Sequence, residues 1–281
     1  MPKQLILIKP SFGASLTRFI VFTLLAVSLF ITTNSQAQQN TNTSKTPLRI
    51  AVSANFTPVL KVLLSDFTLQ TGIKTQLISG ASGAMFLQIK HGAPFDIFLS
   101  ADSVRPKLLE QAGFALKNSR KTYAIGQLAL YSSHTTSPEK LSLEQLKTPP
   151  KRFAIANPDI APYGKAAKEV LIHLNLWQNY QNKLIKGINI GQTFMQVRSK
   201  AVSSGIVANS QLVLNGLTGV PIPTSYHQPI EQQLVIIKTS KNQTQAEKLI
   251  QYLLSEASQK LIVSYGYAQA LPPEKSPQRA L

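Results

Sequence analysis

No cysteine occurs anywhere in this chain, which excludes a disulfide framework, a thiolate metal site and a lipid-anchored cysteine. Carboxylates are scarce as well: 12 Asp and Glu stand against 29 Lys and Arg, a formal excess of +17. Histidine occurs four times, at 91, 134, 173 and 227, without the close pairing that a zinc site needs. The basic residues are scattered singly, with no aromatic interleaving and no nucleic-acid motif, which argues against DNA or RNA as a partner. A positive balance favours anionic partners and decides nothing more.

A run long enough to cross a membrane is also missing. Lys3, Lys9 and Arg18 precede an apolar stretch from Phe19 to Ile31, about thirteen residues where a spanning helix needs roughly 20. Charged start, short apolar core and the small residues of Ser35-Gln36-Ala37 make the pattern of a signal peptide over 1–37, cleaved after Ala37. Export without a lipid anchor implies a soluble protein, periplasmic in a cell with an outer membrane. The mature chain keeps 26 basic against 12 acidic residues, still +14, and is long enough for a substantial core without disulfides. Residues 38–46, QQNTNTSKT, are expected to be a disordered leader, and the Pro- and charge-rich tail at 272–281 is expected to fray.

Between leader and tail the hydrophobic pattern alternates. Leu48 to Val52 suits a buried strand, and Val59, Leu60, Leu63, Leu64 and Phe67 follow at helical spacing until Gly72. Lys74–Ile78 and Asp96–Leu99 read as strands, Ala84–His91 and Val104–Ala112 as helices, and Gln127–Tyr131 as a further strand. A second set begins at Arg152: strands at Phe153–Ala156, Ile188–Ile190 and Gly205–Val207, with helices at Lys165–Leu174 and Thr193–Val202. A last strand at Gln233–Ile237 precedes helices at Thr244–Leu254 and Glu256–Val263. Such alternation predicts parallel sheets covered by helices. The expected architecture is α/β with two lobes and a ligand in the cleft between them. Lobe 1 takes 47–127 plus 233–271 and lobe 2 takes 128–232, with crossovers near Ala124–Tyr131 and Gln228–Ile236.

In such folds ligands bind where strands end and helices begin. Four turns qualify: Ser53-Ala54-Asn55-Phe56-Thr57-Pro58, Ser79-Gly80-Ala81-Ser82-Gly83, the turn from Asn157 to Gly164, and Asn189-Ile190-Gly191-Gln192-Thr193. In the first, Asn55 or Thr57 is placed to cap a helix and Pro58 suits its first turn. A helix start carries unpaired N–H groups and about half a positive charge, so two from each lobe could hold a dianion without Lys or Arg. The small residues at 79–84 admit a close approach of backbone to guest, and Ser82 adds a hydroxyl donor. Asp96 and Asp102 are expected at turns and caps, because an anion site repels carboxylates.

The stretches AVSANFTPVLKVLLSDF, SGASGAMFLQIKHGAPFDIFLSAD, FAIANPDIAPYGKAAKEVL and FMQVRSKAVSSGIVANSQL resemble the periplasmic molybdate-binding proteins of ABC importers, over nearly the whole mature chain and in order. The resemblance implies the two-lobed periplasmic binding fold of type II topology, and a monomer that captures molybdate or tungstate for a membrane permease. It implies no cofactor beyond that ligand and no catalysis. The family's contacts fall on Asn55 and Ser82 in lobe 1, and on Tyr163 and the main-chain N–H of Ile190 in lobe 2. Many relatives carry a Tyr where this chain has Ala208, which leaves Tyr163 as the candidate for the missing phenol.

Two alternatives stand beside that reading. The site could take another small anion such as sulfate or phosphate. Gly80-Ala81-Ser82-Gly83-Ala84 also approaches the G-x-S-x-G nucleophile elbow, with Ala in place of the last Gly, which would make Ser82 a hydrolase nucleophile if a His faced it.

Overall fold

The computed structural model describes residues 46–134 and 141–270. The expected signal peptide, the leader up to residue 45 and the tail at 272–281 lie outside the described residues.

The chain enters through the buried strand β1 (Leu48–Ser53) and helix α1 (Thr57–Thr71), whose apolar stripe Val59, Leu60, Leu63, Leu64 and Phe67 is buried as its spacing requires. Pro58 lies in its first turn, and Gly72, in the left-handed region at φ 69°, ends it with a bond to the Thr68 carbonyl. Then follow β2 (Thr75–Gly80), α2 (Ser82–Lys90), β3 (Ile97–Leu99), α3 (Val104–Gln111) and β4 (Lys121–Gly126). Lobe 2 comprises β5 (Leu128–Ser132), β6 (Phe153–Ala156), α4 (Pro162–His173), α5 (Trp177–Tyr180), β7 (Leu184–Gly187), α6 (Ile190–Arg198), β8 (Ser204–Ala208), α7 (Asn209–Leu214) and β9 (Val220–Pro221). The chain returns through β10 (Ile230–Ile236) and closes with α8 (Gln243–Leu254) and α9 (Glu256–Ser264).

Each lobe is built on one five-stranded sheet, in the order β2-β1-β3-β10-β4 and β7-β6-β8-β5-β9. The first three strands of each sheet are parallel, and the fourth is antiparallel to its neighbours. A purely parallel reading therefore needs correction. In each sheet the antiparallel fourth strand, β10 or β5, is the one by which the chain arrives from the other lobe, so no helical crossover within the sheet sets its direction. Gln127 alone separates β4 from β5, and lobe 1 resumes at Ile230, three residues before the expected Gln233. Among the described residues no helix is long and apolar enough to cross a membrane.

One strand falls elsewhere than its pattern predicts. Ile188–Ile190 is not a strand: β7 ends at Gly187, Ile188 is 63% exposed, and Ile190 is the first residue of α6. The apolar-polar-apolar triplet mimics strand alternation, but Asn189 is an N-cap whose Oδ1 accepts the Gln192 N–H. Helices α2, α4 and α6 likewise begin two or three residues before their apolar patterns do, and this brings their first turns up to the strand ends.

Candidate functional site

Parallel pairing sets strand ends side by side: Ser53 opposite Gly80 in lobe 1, and Ala156 opposite Gly187 in lobe 2. From these ends start α1, α2, α4 and α6. Their turns, at residues 53–55, 80–82, 161–163 and 189–190, line one small cavity. The structure thus brings Asn55, Ser82, Tyr163 and Ile190 together, all at most 3% exposed. The lobes meet beside them, where the Gly83 N–H donates across the cleft to the Ile160 carbonyl at 2.9 Å.

The helix starts leave N–H groups without intrahelical acceptors. In α2 the first intrahelical bond is Met85 N–H to Ala81 O, which leaves the Ser82 N–H upstream of it. In α4 the first is Lys165 N–H to Ala161 O, upstream of which lies the Tyr163 N–H; in α6 it is Thr193 N–H to Asn189 O, upstream of which lie those of Ile190 and Gly191. No residue lining the cavity carries a charge. Peptide dipoles at the helix starts supply positive potential there without a charged side chain in the lining.

A serine pair adds a proton. Ser53 Oγ and Ser82 Oγ are 2.5 Å apart, and Ser82 Oγ also accepts the Ala101 N–H at 2.9 Å. Two hydroxyls that share one bond retain one unused O–H, whichever of them donates. Ser82 therefore does not cap its own helix; its oxygen anchors Ala101 while the pair keeps a donor at the cavity wall.

Beneath the cavity is a buried polar cluster that the motifs did not reveal. Asn55 Nδ2 donates to Gln232 Oε1 at 2.8 Å, to the Tyr267 hydroxyl at 3.2 Å and to the Tyr163 hydroxyl at 3.4 Å. Gln232 Nε2 donates to the Tyr163 hydroxyl at 3.1 Å, and Tyr123 O–H donates to Gln232 Oε1 at 3.0 Å. Tyr267 O–H donates to the Asn55 carbonyl at 2.9 Å. Asn55 accordingly does not cap α1, whose N-cap is Phe56 with no side-chain bond. The Tyr163 hydroxyl, offered above as a phenol for the guest, is held by Gln232 and Asn55 of lobe 1 and packs where a side chain on Gly126 would stand, 2.3 Å from that Cβ position. Burial, and next the neighbouring Tyr267, push the Tyr163 phenol well above its ordinary value, and burial does the same first for Tyr123 and Tyr267. All three remain neutral at physiological pH.

Gln232 and Gln233 stand side by side in IEQQLVI, 0% and 6% exposed, with a register shift between them. Two consecutive buried glutamines in a strand were the available signal. β10 lies between β3 and β4 with packed clusters on both faces, so consecutive residues of this strand are buried whichever way they point.

The carboxylates lie outside the cavity. Asp102 Oδ1 accepts the Arg105 N–H at 3.0 Å at the start of α3, and its other oxygen pairs with the Arg105 guanidinium. Both residues line a larger, neighbouring cleft of ≈ 730 Å³. Asp96 is not a helix cap: it accepts the Arg49 N–H, the Ser240 hydroxyl and Asn242 Nδ2, tying the sheet to the loop before α8. None of the four histidines lines the cavity, so no imidazole faces Ser82 there.

Two α/β lobes joined by two crossings, with an uncharged cavity walled by helix starts from both, have the build of a binding protein that closes around a small solute. The chain belongs to the ModA-like members of the bacterial extracellular solute-binding proteins, whose family model matches residues 48–268. It is 37% identical over 224 residues to the molybdate-binding protein ModA of Azotobacter vinelandii, covering 78% of this chain and 89% of that one. Identity to the molybdate-binding protein ModA of Rhodobacter capsulatus is 36% over 218 residues, covering 77% and 86%. The solved structure of the Azotobacter vinelandii periplasmic molybdate-binding protein matches with a TM-score of 0.75 at 34% identity, over 80% of this chain and all of that one.

Proposed function

We propose that this protein captures molybdate, and tungstate with it, in the periplasm as a monomer, and delivers it to the membrane permease of an ABC importer. Asn55, Ser82, Tyr163 and Ile190 hold the oxyanion. The observation that carries the reading is the meeting of four helix starts, two per lobe, around one cavity without a charged side chain. A fully deprotonated tetrahedral dianion needs donors on every side and no acceptor. Monoprotonated phosphate needs an acceptor carboxylate, and none lines the cavity. The names of the relatives at 36–37% identity support the same ligand. Contacts from both lobes let the guest favour the closed form, and opening at the permease releases it. Residues 1–37 act as the export signal.

Calorimetric titration of the purified protein with molybdate, tungstate, sulfate and phosphate tests this. Tight binding of the first two, with sulfate and phosphate at least about a hundredfold weaker, a difference of about 2.7 kcal/mol, is the expected outcome. Sulfate binding as tightly as molybdate would move the protein to another anion.

Binding is also expected to be flat in pH. The cavity lining has no carboxylate, His, Lys or Arg, and its one phenol is raised by burial far above neutrality. Neither site nor molybdate then changes charge between about pH 6 and 8, and the dissociation constant should vary by less than about twofold across that range. A tenfold drift in the same calorimetric series would mean that a titrating group touches the guest.

A further inference from the structure

The geometry points to Gln232 as a positioning residue that turns the Asn55 carboxamide so that its NH2 group, not its carbonyl, serves the anion; this rests on the oxyanion reading above.

The cluster beneath the cavity is incompletely satisfied as described. Asn55 lines the cavity, is 0% exposed, and its Oδ1 has no hydrogen-bond partner. An orphaned acceptor is the wrong group to set at the wall of an anion site. At the same time the Tyr163 hydroxyl receives bonds from Gln232 Nε2 and Asn55 Nδ2. A carboxamide fills the same volume in either orientation, so the same frame of atoms supports a second bonding pattern. Turning Asn55 and Gln232 together by half a turn makes Gln232 NH2 the donor to Asn55 Oδ1 over the 2.8 Å contact and to the Tyr123 hydroxyl over the 3.0 Å contact. Tyr123 keeps its own bond to the Ser100 carbonyl. Gln232 Oε1 then accepts the Tyr163 O–H over the 3.1 Å contact, and Tyr267 retains the Asn55 carbonyl. The Asn55 NH2 now occupies the place of the orphaned oxygen and is free for the guest. Every polar group of the pair finds a partner once an anion is bound; the longer contacts from the Asn55 amide to the Tyr267 and Tyr163 hydroxyls, 3.2 and 3.4 Å, are given up, because both phenol protons are committed elsewhere.

Neither amide can turn alone. Asn55 turned by itself would set Oδ1 against Gln232 Oε1 at 2.8 Å, two acceptors in contact. Strand β10, at the crossing between the lobes, thus delivers a buried side chain that can donate to Asn55 and accept from Tyr163 of the other lobe.

A double-mutant cycle on the full chain tests the assignment, with molybdate as the probe. Gln232→Met keeps the side-chain length and removes both amide functions; molybdate binding should weaken about tenfold. In an Asn55→Ala background the same substitution should change the dissociation constant by less than about twofold, because Gln232 acts through Asn55. Equal losses in both backgrounds would overturn the assignment. Thermal unfolding of the ligand-free variants separates loss of fold from loss of function. A second measurement reads the wild-type protein and uses the Asn55→Ala variant only to assign the signal: in 15N-labelled protein the Asn55 side-chain NH2 pair should shift on adding molybdate. An unmoved pair, with molybdate bound, overturns the inference, whereas a wild-type protein that does not bind molybdate overturns the function on which it rests.

Discussion

Gly83→Ala is expected to leave the ligand-free protein as stable as before, or slightly more so, while weakening molybdate binding by about fivefold to a hundred and fiftyfold. Gly83 lies in the first turn of α2 with helical backbone, where Ala is favoured over Gly by up to about 1 kcal/mol. Of the three atoms nearest the position of the new Cβ, one belongs to lobe 1: the tip of the Arg105 side chain at 3.1 Å, the far end of a flexible group. The obstacle is across the cleft: the same Cβ would stand 2.8 Å from the Ile160 carbonyl oxygen and 3.0 Å from its Cα. Those are main-chain atoms of lobe 2, and the contact is the one that the Gly83 N–H makes at 2.9 Å when the lobes meet. Overpacking against backbone costs about 1 to 3 kcal/mol, and here only the closed form bears it. That cost raises the dissociation constant by about fivefold to a hundred and fiftyfold. Calorimetry gives the binding term and thermal unfolding without ligand gives the stability term. Unchanged affinity would mean that the guest is held without the two lobes meeting at Gly83.

That Gly83 stands at the lobe contact could not be read from its sequence, although the surrounding turn could. Alternation of short apolar runs with helical stripes announced strands and helices at nearly their observed places, because burial on one face imposes its own period. SGASG was legible as a place where backbone approaches something closely. Gly83 meets the lobe 2 backbone and Ser82 lines the cavity. Strands β4 and β9 and the short helices α5 and α7 went unread, and three further things were not legible. The antiparallel fourth strands follow from how the chain passes between lobes, which hydropathy does not encode. The start of α6 was hidden because Ile188 and Ile190 flank a capping Asn, and a cap is a local bond rather than a pattern. The Asn55–Gln232–Tyr163–Tyr267 cluster joins residues up to 212 positions apart. Resemblance pointed to Asn55 and Tyr163 as ligand contacts but said nothing of the glutamine between them.

Ser82→Ala should weaken molybdate binding by about 1 to 3 kcal/mol, roughly fivefold to a hundred and fiftyfold, and should lower the unfolding temperature as well. Two losses are coupled in one atom. The Ser82 oxygen accepts the Ala101 N–H at 2.9 Å in a buried position, so its removal leaves that donor without an acceptor in the free protein. Its removal also breaks the Ser53–Ser82 pair, both members of which line the cavity and which together hold one surplus O–H. Ser53→Ala supplies the contrast. With Ser53 gone, Ser82 still accepts from Ala101 and turns its own proton to the guest, so both the fold and the affinity should change little, by less than about threefold in dissociation constant. The asymmetry arises because only Ser82 is anchored to the main chain of the next strand's exit. Equal losses for the two serines would show that each donates separately to the anion, and that the 2.5 Å contact between them gives way when the ligand is bound.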